Sequence, residues 1–313
     1  MNKHVLIIFI SVIISLMGCQ SDFKIGEPTT EELFLLCFPG PSDTTIIQLY
    51  KTVPIGGRYE GSPFLESADI IFSTNGVVHN VEYANSPVGS VPKGCWFVPT
   101  GIVAGDMVDI SSFVDGVKPI SAHTQAPLSP PLFSYRWNAD DIRVSFDDDS
   151  ESKDYYGLAL VCEQTFEDNG IAIVNTHFMP PLSEGNGTTE ISVLREYYDI
   201  GFTGWSLCPN RVQPYGVRVW SDESFNGTKV SLSMRIDLSP IESHAIVSRF
   251  KVRLYRFSEE FYRYLAALDY QTLNGYASYG IVPMKPSFTN INGGSGVLAG
   301  WSMRETDWFE KND

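Results

Sequence analysis

Residues 246–257 read IVSRFKVRLYRF, a run in which apolar and basic side chains alternate. Phe250, Val252 and Leu254 are separated by Lys251 and Arg253. Successive side chains of a β-strand point to opposite faces, so this period of two is typical of a strand with one apolar face. The stretch therefore predicts a long β-strand.

The residues after this strand predict one helix, near residues 258–273. Ser258 can cap its N-terminus, and Glu259 and Glu260 place negative charge in the first turn, where the helix dipole favours it. An apolar stripe follows at the helical spacing i, i+3, i+4 and i+7, formed by Phe261, Tyr264, Leu265 and Leu268. We expect this helix to pack on a β-domain as a lid.

Shorter runs of alternating or β-branched residues occur along the rest of the chain. They predict strands at residues 33–38, 44–51, 68–73, 77–82, 95–98, 107–111, 142–146, 156–163, 170–176, 216–220 and 229–236. Several runs are separated by dipeptides that tolerate the positive φ of tight hairpins, namely Asn75-Gly76, Asp115-Gly116, Asn186-Gly187 and Asn226-Gly227. Many short strands with one helix predict an all-β fold.

A proline-rich segment at residues 126–131 divides the chain. It reads APLSPP, and three prolines in six residues resist both helix and central strand. Residues 29–125 have the length and strand density of an immunoglobulin-like or transthyretin-like β-sandwich. We expect residues 132–313 to form a larger β-sandwich or an open barrel that carries the helix.

The N-terminus has the pattern of an exported lipoprotein. Lys3 precedes an apolar run at residues 5–16, which as a helix rises about 18 Å, short of the ~30 Å hydrocarbon layer. That length is typical of a signal peptide. Because Leu16-Met17-Gly18-Cys19 resembles a bacterial lipobox, we predict a signal peptide at residues 1–18 and lipid on Cys19. A conventional signal peptide followed by a chance cysteine is the alternative.

Residues 19–28 form the predicted tether between the lipid and the folded body. Gln20-Ser21-Asp22 looks like the polar, acid-bearing signal that sends lipoproteins of the Bacteroidetes to the cell surface. The alternative is a solvated tether that carries no such signal. A single acyl chain binds a membrane only marginally, so lasting attachment requires further chains.

The charge balance argues against one class of partner. The chain has 22 Lys and Arg residues against 37 Asp and Glu residues, a formal net charge of −15. Nucleic acids and anionic lipid surfaces are bound through clusters of Lys and Arg. We therefore expect no nucleic-acid partner, and we expect the membrane to be reached through the N-terminal lipid.

Besides Cys19, the chain has four cysteines, which are Cys37, Cys95, Cys162 and Cys208. Four thiols outside the cytoplasm allow three disulfide pairings, and the boundary at residues 126–131 favours Cys37–Cys95 with Cys162–Cys208. Buried free thiols that pack as small apolar residues are the alternative. No CxxC spacing occurs, which leaves zinc or thioredoxin-like chemistry with little support.

Two features are weak candidates for binding. Asp147, Asp148 and Asp149 lie between two predicted strands, and clustered carboxylate oxygens can hold Ca²⁺. The run lacks the full spacing of a calcium loop, so a solvated acidic turn is the default interpretation and no metal is expected. Trp308 lies in a polar tail and is a candidate for stacking on a ligand or anchoring a protein interface.

The sequence contains neither the HExxH nor the GxSxG pattern of hydrolases. Residues 294–299, GSGVLA, formally fit GxGxxA, but a dinucleotide site needs a following helix and strand. A glycine-rich bend that lets a final strand pass close to another backbone is the preferred interpretation. We therefore expect no cofactor and no catalytic residues.

Several longer stretches resemble one protein family. They are residues 68–72, 99–101, 103–110, 120–127, 154–158, 254–265 (LYRFSEEFYRYL) and 286–302 (PSFTNINGGSGVLAGWS). Together they resemble Bacteroidetes lipoproteins of the domain-of-unknown-function family 4249 (DUF4249). The resemblance implies an outer-membrane lipoprotein that is commonly encoded beside TonB-dependent transporters, and it implies no established catalytic residues.

We accordingly predict a non-catalytic outer-membrane lipoprotein that faces the cell exterior. Its expected role is an accessory or ligand-binding subunit of a TonB-dependent nutrient transporter. A surface adhesin or structural module is the alternative, and a secreted hydrolase is a further one. The sequence does not distinguish a small molecule, a peptide or a glycan as the ligand.

Overall fold

The computed structural model describes residues 31–310 except 53–64, 139–140, 169–170, 180, 183–196, 200–215, 224, 237–244 and 274–287. These residues form strands and one helix, which confirms the predicted all-β class. In chain order the elements are β1 (Leu33–Cys37), β2 (Thr45–Lys51), β3 (Asp69–Thr74), β4 (Val77–His79), β5 (Glu82–Tyr83), β6 (Trp96–Val98), β7 (Met107–Phe113), β8 (Ile120–Gln125), β9 (Phe133–Asn138), β10 (Asp141–Asp147), β11 (Tyr155–Asp168), β12 (Ile171–Met179), β13 (Pro181–Leu182), β14 (Tyr197–Asp199), β15 (Gly216–Ser221), β16 (Lys229–Ile236), β17 (Val247–Phe257), α1 (Glu259–Leu273), β18 (Ser295–Leu298) and β19 (Trp301–Glu305).

Two sheets pack face to face around the first apolar core. One has the strand order β18-β1-β2-β6-β5 and the other has the order β4-β3-β7-β8. Leu35 from the first sheet and Phe72 and Ile110 from the second are buried between them. This arrangement is the sandwich predicted for the N-terminal part, with one strand added. That strand is β18, which comes from near the other end of the chain and pairs parallel with β1.

Two further sheets enclose the second core. One has the order β13-β16-β10-β9, and the other has the order β14-β15-β11-β17-β19, with β12 also paired to β11. The stretch that predicted a long strand forms β17, which pairs with β11 over its whole length. Its side chains Phe250, Val252 and Leu254 are buried in this core, whereas Lys251 and Arg253 lie on the other face and contact a carboxylate.

The helix α1 lies where the sequence predicts it. The Ser258 hydroxyl oxygen accepts a hydrogen bond from the Phe261 backbone N–H at 3.3 Å, which is an N-cap interaction. Phe261 and Leu265 are buried in a third core. That core also contains Val297 of β18 and Tyr255 of β17, so the helix covers strands of two different sheets.

The glycine-rich start of β18 confirms the predicted close approach of two backbones. Gly296 has a φ of 112°, a region that side chains other than glycine rarely adopt. A Cβ atom at Gly296 would overlap the backbone carbonyl of Leu35. The parallel pairing of β18 with β1 therefore requires glycine at this position.

The proline-rich segment at residues 126–131 contains no regular secondary structure, as its sequence predicts. The described residues from Glu32 onward belong to one compact unit. Since β18 and the third core join residues from both sides of the segment, the two parts share a strand pairing and a core. Their division into 29–125 and 132–313 as separate domains stays a prediction.

Several predictions fall outside the described residues. They concern the signal peptide at residues 1–18, the lipid on Cys19, the tether at residues 19–28, the turn Asn186-Gly187, and Cys208. Within the described ranges, no helix combines the length and apolar character needed to cross a membrane.

Candidate functional site

Three carboxylates meet at one end of the second pair of sheets. Asp148 lies in the β10–β11 loop, Asp154 directly precedes β11, and Asp222 directly follows β15. Since β10 and β16 belong to one sheet and β11 and β15 to the other, both loops cross between the sheets at this end. One oxygen atom from each carboxylate lies within 4.8 Å of the other two. We call these three residues the carboxylate cluster.

Hydrogen bonds tie the two crossing loops together at the cluster. The Asp154 backbone N–H donates to Asp222 Oδ2 at 2.6 Å, and the Asp222 N–H donates to the Asp154 carbonyl oxygen at 3.0 Å. The Gly227 N–H donates to Asp148 Oδ2 at 2.9 Å, and the Asp148 N–H donates to the Thr228 carbonyl at 3.1 Å. The cluster is therefore held by backbone groups of both loops.

A buried ion pair fixes Asp154 to β17. Arg256 Nε donates to Asp154 Oδ1 at 2.9 Å, and its Nη2 donates to Asp154 Oδ2. The Arg256 Nη2 also donates to the Ser152 hydroxyl at 3.0 Å. The Arg256 and Asp154 side chains are only 8% and 7% exposed, so this two-point contact lies in a poorly solvated environment.

The Tyr156 hydroxyl lies between two members of the cluster. Its oxygen is 2.6 Å from Asp148 Oδ1 and 3.2 Å from Asp154 Oδ2. Burial is the main cause that raises the pKa of this phenol, and the hydrogen bond to Asp148 adds to it. The hydroxyl therefore stays protonated and donates to the carboxylates.

Asp222 is the most buried member of the cluster. Its side chain is fully buried, and its Oδ1 atom has no hydrogen-bond partner. Burial raises the pKa of this carboxyl, and the nearby negative charges of Asp148 and Asp154 raise it further, while the Asp154 N–H lowers it. A buried oxygen without a partner is costly, because it has left water without gaining a hydrogen bond.

Only one of the three carboxylates predicted as weak metal candidates belongs to the cluster. Asp148 does, whereas Asp147 and Asp149 are exposed. The Asp149 Oδ1 atom accepts a hydrogen bond from the Glu151 N–H at 3.0 Å, so Asp149 forms part of an exposed turn. The sequence did not single out Asp154 or Asp222, because a lone aspartate in a loop carries no spacing signal.

The Trp308 ring contacts two cations of its own chain. Arg249 and Lys251 each lie 4.7 Å from the ring centroid, a distance at which the ring attracts a positive charge. The side chain is half-buried rather than free in a polar tail. Its role in binding a ligand stays a prediction.

Among the described residues, the favoured Cys37–Cys95 disulfide is not formed, whereas the favoured Cys162–Cys208 disulfide involves Cys208, which lies outside them. Cys37 and Cys162 are buried free thiols, as in the alternative interpretation. Strand β2 lies between Cys37 and the strand that follows Cys95, because Cys37 pairs with Ile47 and Ile47 pairs with Trp96. Adjacent strands are about 4.8 Å apart, so Cys37 lies two such spacings from Trp96, the residue next to Cys95. A disulfide needs a Cα–Cα distance below about 7 Å.

Burial keeps the two free thiols in their protonated form. It raises the pKa of Cys37, and it raises the pKa of Cys162 to about 11, with a smaller contribution from the charge of Glu163. Since the thiolate is the reactive form of cysteine, we assign these two residues to core packing.

Glu305 on β19 forms ion pairs with two cations of β17. Its Oε1 atom lies 2.5 Å from Lys251 Nζ, and its Oε2 atom lies 2.9 Å from Arg253 Nε. Burial by itself raises the pKa of the Glu305 carboxyl, but the hydrogen bonds and charges of both cations outweigh it and hold the pKa below its usual value.

The change Glu305→Gln is expected to lower the free energy of unfolding by about 1 kcal/mol at pH 7. A lowered folded-state pKa stabilises the protein above the unfolded value of 4.5, and this contribution is lost as the pH falls through the folded pKa. Urea unfolding of both proteins at pH 7 and at several values below 4.5 measures the difference. A difference that does not shrink in acid would contradict the assignment.

A groove of about 390 Å³ lies on the exposed face of the β3-β7-β8 sheet. Cross-strand pairing places Ser73 beside Asp109 and Asp109 beside His123. Ile71, which is 56% exposed, provides an apolar patch within the groove. The remaining lining residues are Ile110, Ser111, Ser121, Ala122, Asn290 and Asn292. The volume lies in the range of small-molecule sites, and the lining can hydrogen-bond a polar ligand.

Comparisons with known proteins identify the family. No curated protein matches the sequence. A solved chain described as "Cytokine receptor complex - Crystal form 1A" is similar over 74% of this chain and 86% of that chain, with 10% identity and a TM-score of 0.23. A similarity this weak carries no argument. The family described as "Domain of unknown function (DUF4249)" matches residues 20–307, which is most of the chain, and the chain therefore belongs to the DUF4249 family.

Proposed function

We propose that this chain is a non-catalytic lipoprotein of the outer membrane, anchored by lipid on Cys19 and exposed at the cell surface. Its proposed role is an accessory or ligand-binding subunit of a TonB-dependent nutrient transporter. The lipobox-like Leu16-Met17-Gly18-Cys19 supports the lipid anchor, and the acid-bearing Gln20-Ser21-Asp22 supports exposure at the cell surface. The genomic association implied by the family resemblance supports the partner.

The groove on the β3-β7-β8 sheet is the observation that carries the binding role. Its floor consists of side chains that point outward from paired strands. On the opposite face of the same strands, Val108, Ile110 and Ala122 are buried in the first core. The floor is thus fixed by strand pairing on both sides of β7. A site built on paired strands is better preorganised than one built on loops.

The chemistry of the groove favours a polar ligand. The carboxylate of Asp109, the imidazole of His123 and the hydroxyls of Ser73, Ser111 and Ser121 all line it. These groups donate and accept hydrogen bonds, and no large aromatic ring lies among them. The lining therefore suits a ligand rich in hydroxyl or amide groups, such as a glycan fragment or a peptide, better than an apolar one.

One observation favours a hydrolase as the second candidate, since a serine, a histidine and an aspartate lie around one groove. Nucleophilic catalysis requires a hydrogen-bonded chain from nucleophile to base to orienting acid. Among the described residues, no hydrogen bond joins His123 to Asp109 or to Ser73, Ser111 or Ser121. We therefore favour binding over turnover.

Ligand binding by the mature lipoprotein in detergent tests this role. We expect calorimetry to detect binding of a member of a panel of oligosaccharides and short peptides. His123→Ala and Asp109→Asn should each weaken that binding about tenfold or more. Asp69→Asn is the matched control, because Asp69 is exposed on β3 but does not line the groove. Unchanged binding by both groove variants would contradict the site, and turnover of the ligand would favour the hydrolase.

A further inference from the structure

We propose that the carboxylate cluster, Asp148, Asp154 and Asp222, binds one divalent cation, Ca²⁺, which joins the β10–β11 loop to the β15–β16 loop. This site is separate from the groove on the β3-β7-β8 sheet and does not depend on the proposed function.

The spacing of the carboxylates fits a cation. One oxygen atom from each carboxylate lies within 4.8 Å of the other two. Two ligands on opposite sides of a Ca²⁺ ion are about 4.6–5.2 Å apart, because each Ca–O distance is about 2.3–2.6 Å. An ion can therefore contact all three residues with little movement of the backbone, which the hydrogen bonds between the loops already hold in place.

The charges around the cluster leave a negative excess. Three carboxylates face one buried cation, Arg256, which is bound to Asp154. Lys153 is exposed and lies 3.9 Å from the exposed Glu223, so these two charges offset each other. An uncompensated buried charge is strongly unfavourable, and a divalent cation neutralises the excess of two.

Asp222 supplies an oxygen that no protein group satisfies. Its side chain is fully buried, and its Oδ1 atom accepts no hydrogen bond although its Oδ2 atom does. Buried polar atoms almost always have a partner. Asp222 also belongs to the carboxylate cluster, so a donor proton or a cation is the partner that can satisfy this oxygen.

The ligand atoms select the kind of cation. All three side chains offer carboxylate oxygens, and neither cysteine nor histidine belongs to the group. Hard cations such as Ca²⁺ bind oxygen ligands, whereas zinc sites mostly use sulfur and nitrogen. Because Asp154 is shared with Arg256, we expect weak binding, with a Kd of about 10⁻⁵–10⁻³ M.

Calorimetric titration of Ca²⁺ into the mature lipoprotein, treated first with a chelator and held in detergent, tests the proposal. We expect one Ca²⁺ per chain and a rise in Tm of several degrees that continues to grow as the Ca²⁺ concentration exceeds the Kd. Asp222→Asn and Asp148→Asn should each lower the Ca²⁺ affinity at least about tenfold, because each removes a charged ligand. Asp148 is only half-buried, so its variant remains informative if Asp222→Asn does not fold.

Asp149→Asn is the matched control, since Asp149 belongs to the same acidic run but is exposed. Its affinity for Ca²⁺ should equal that of the wild type. An equal loss in Asp149→Asn and Asp148→Asn would assign binding to the surface run and overturn the proposal. The proposal would also be overturned if Ca²⁺ did not raise the Tm of the wild type and Asp222→Asn had a Tm no lower than the wild type. In that case Asp222 Oδ1 would carry a proton rather than bind a cation.

Discussion

Replacement of Gly296 by alanine is expected to lower the free energy of unfolding by at least about 4 kcal/mol, or to prevent folding. Two effects combine. The φ of 112° is strained for alanine. The new Cβ would also overlap the Leu35 backbone, which cannot move away by changing rotamer as a side chain can. The neighbouring Val297 and Leu298 are fully buried, so a shift of β18 would disturb two cores.

Gly116→Ala is the control for this prediction. Gly116 also has a positive φ, 76°, but a Cβ atom there meets nothing within 4 Å. Its cost is therefore limited to backbone strain of about 1–2 kcal/mol. Urea unfolding of the wild type and both variants gives the comparison. Equal losses for the two glycines would show that the contact with β1 does not constrain Gly296.

The change Arg256→Met is expected to lower the free energy of unfolding by about 3–5 kcal/mol. It leaves Asp154 buried and charged without its cation, beside Asp148 and Asp222. Unfolding is measured with a chelator present, so that a bound cation does not replace the lost charge. Arg256→Met combined with Asp154→Asn should recover part of the loss, because the unpaired charge is then removed.

Arg249→Met is the control for the buried pair. Arg249 is 44% exposed and pairs with Glu163, so solvent screens the interaction and the expected loss is about 1 kcal/mol or less. If Arg256→Met cost no more than Arg249→Met, Asp154 would not depend on Arg256 for its charge compensation.

Local patterns account for the parts of the fold that the sequence predicted. The alternation in β17, the cap at Ser258 and the turn at Asn75-Gly76 each depend on residues close together in the chain. The turn has φ values of 50° and 79° at its two residues, as tight hairpins require. These signals are short-range, and the structure confirms each of them.

The strands that the sequence did not predict lack such a signal. Strand β8 alternates strictly between buried and exposed residues, but two of its inward residues, Ala122 and Thr124, give little apolar contrast. For strand β18 the sequence predicts a close approach to another backbone but not which one, since its partner β1 lies more than 250 residues away. Such a pairing is selected by packing against the other elements rather than by its own sequence.

The carboxylate cluster could be predicted only in part for a similar reason. Asp148 lies in an acidic run that the sequence makes visible, whereas Asp154 and Asp222 are 68 residues apart. They meet because two loops cross between the sheets at the same end. Sequence alone favours a solvated turn for the acidic run that contains Asp148, since acidic loop residues are usually exposed.

The most direct test of the proposed function is the recovery of partners with the lipoprotein itself. The tagged protein is extracted in mild detergent from its own outer membrane, purified by its tag and analysed by mass spectrometry, with an unrelated tagged lipoprotein as the control. The proposal predicts a TonB-dependent transporter in a stoichiometric amount in the first sample and not in the second. Repeated recovery of the surface-exposed lipoprotein without any transporter would contradict it and would favour an independent adhesive or binding role.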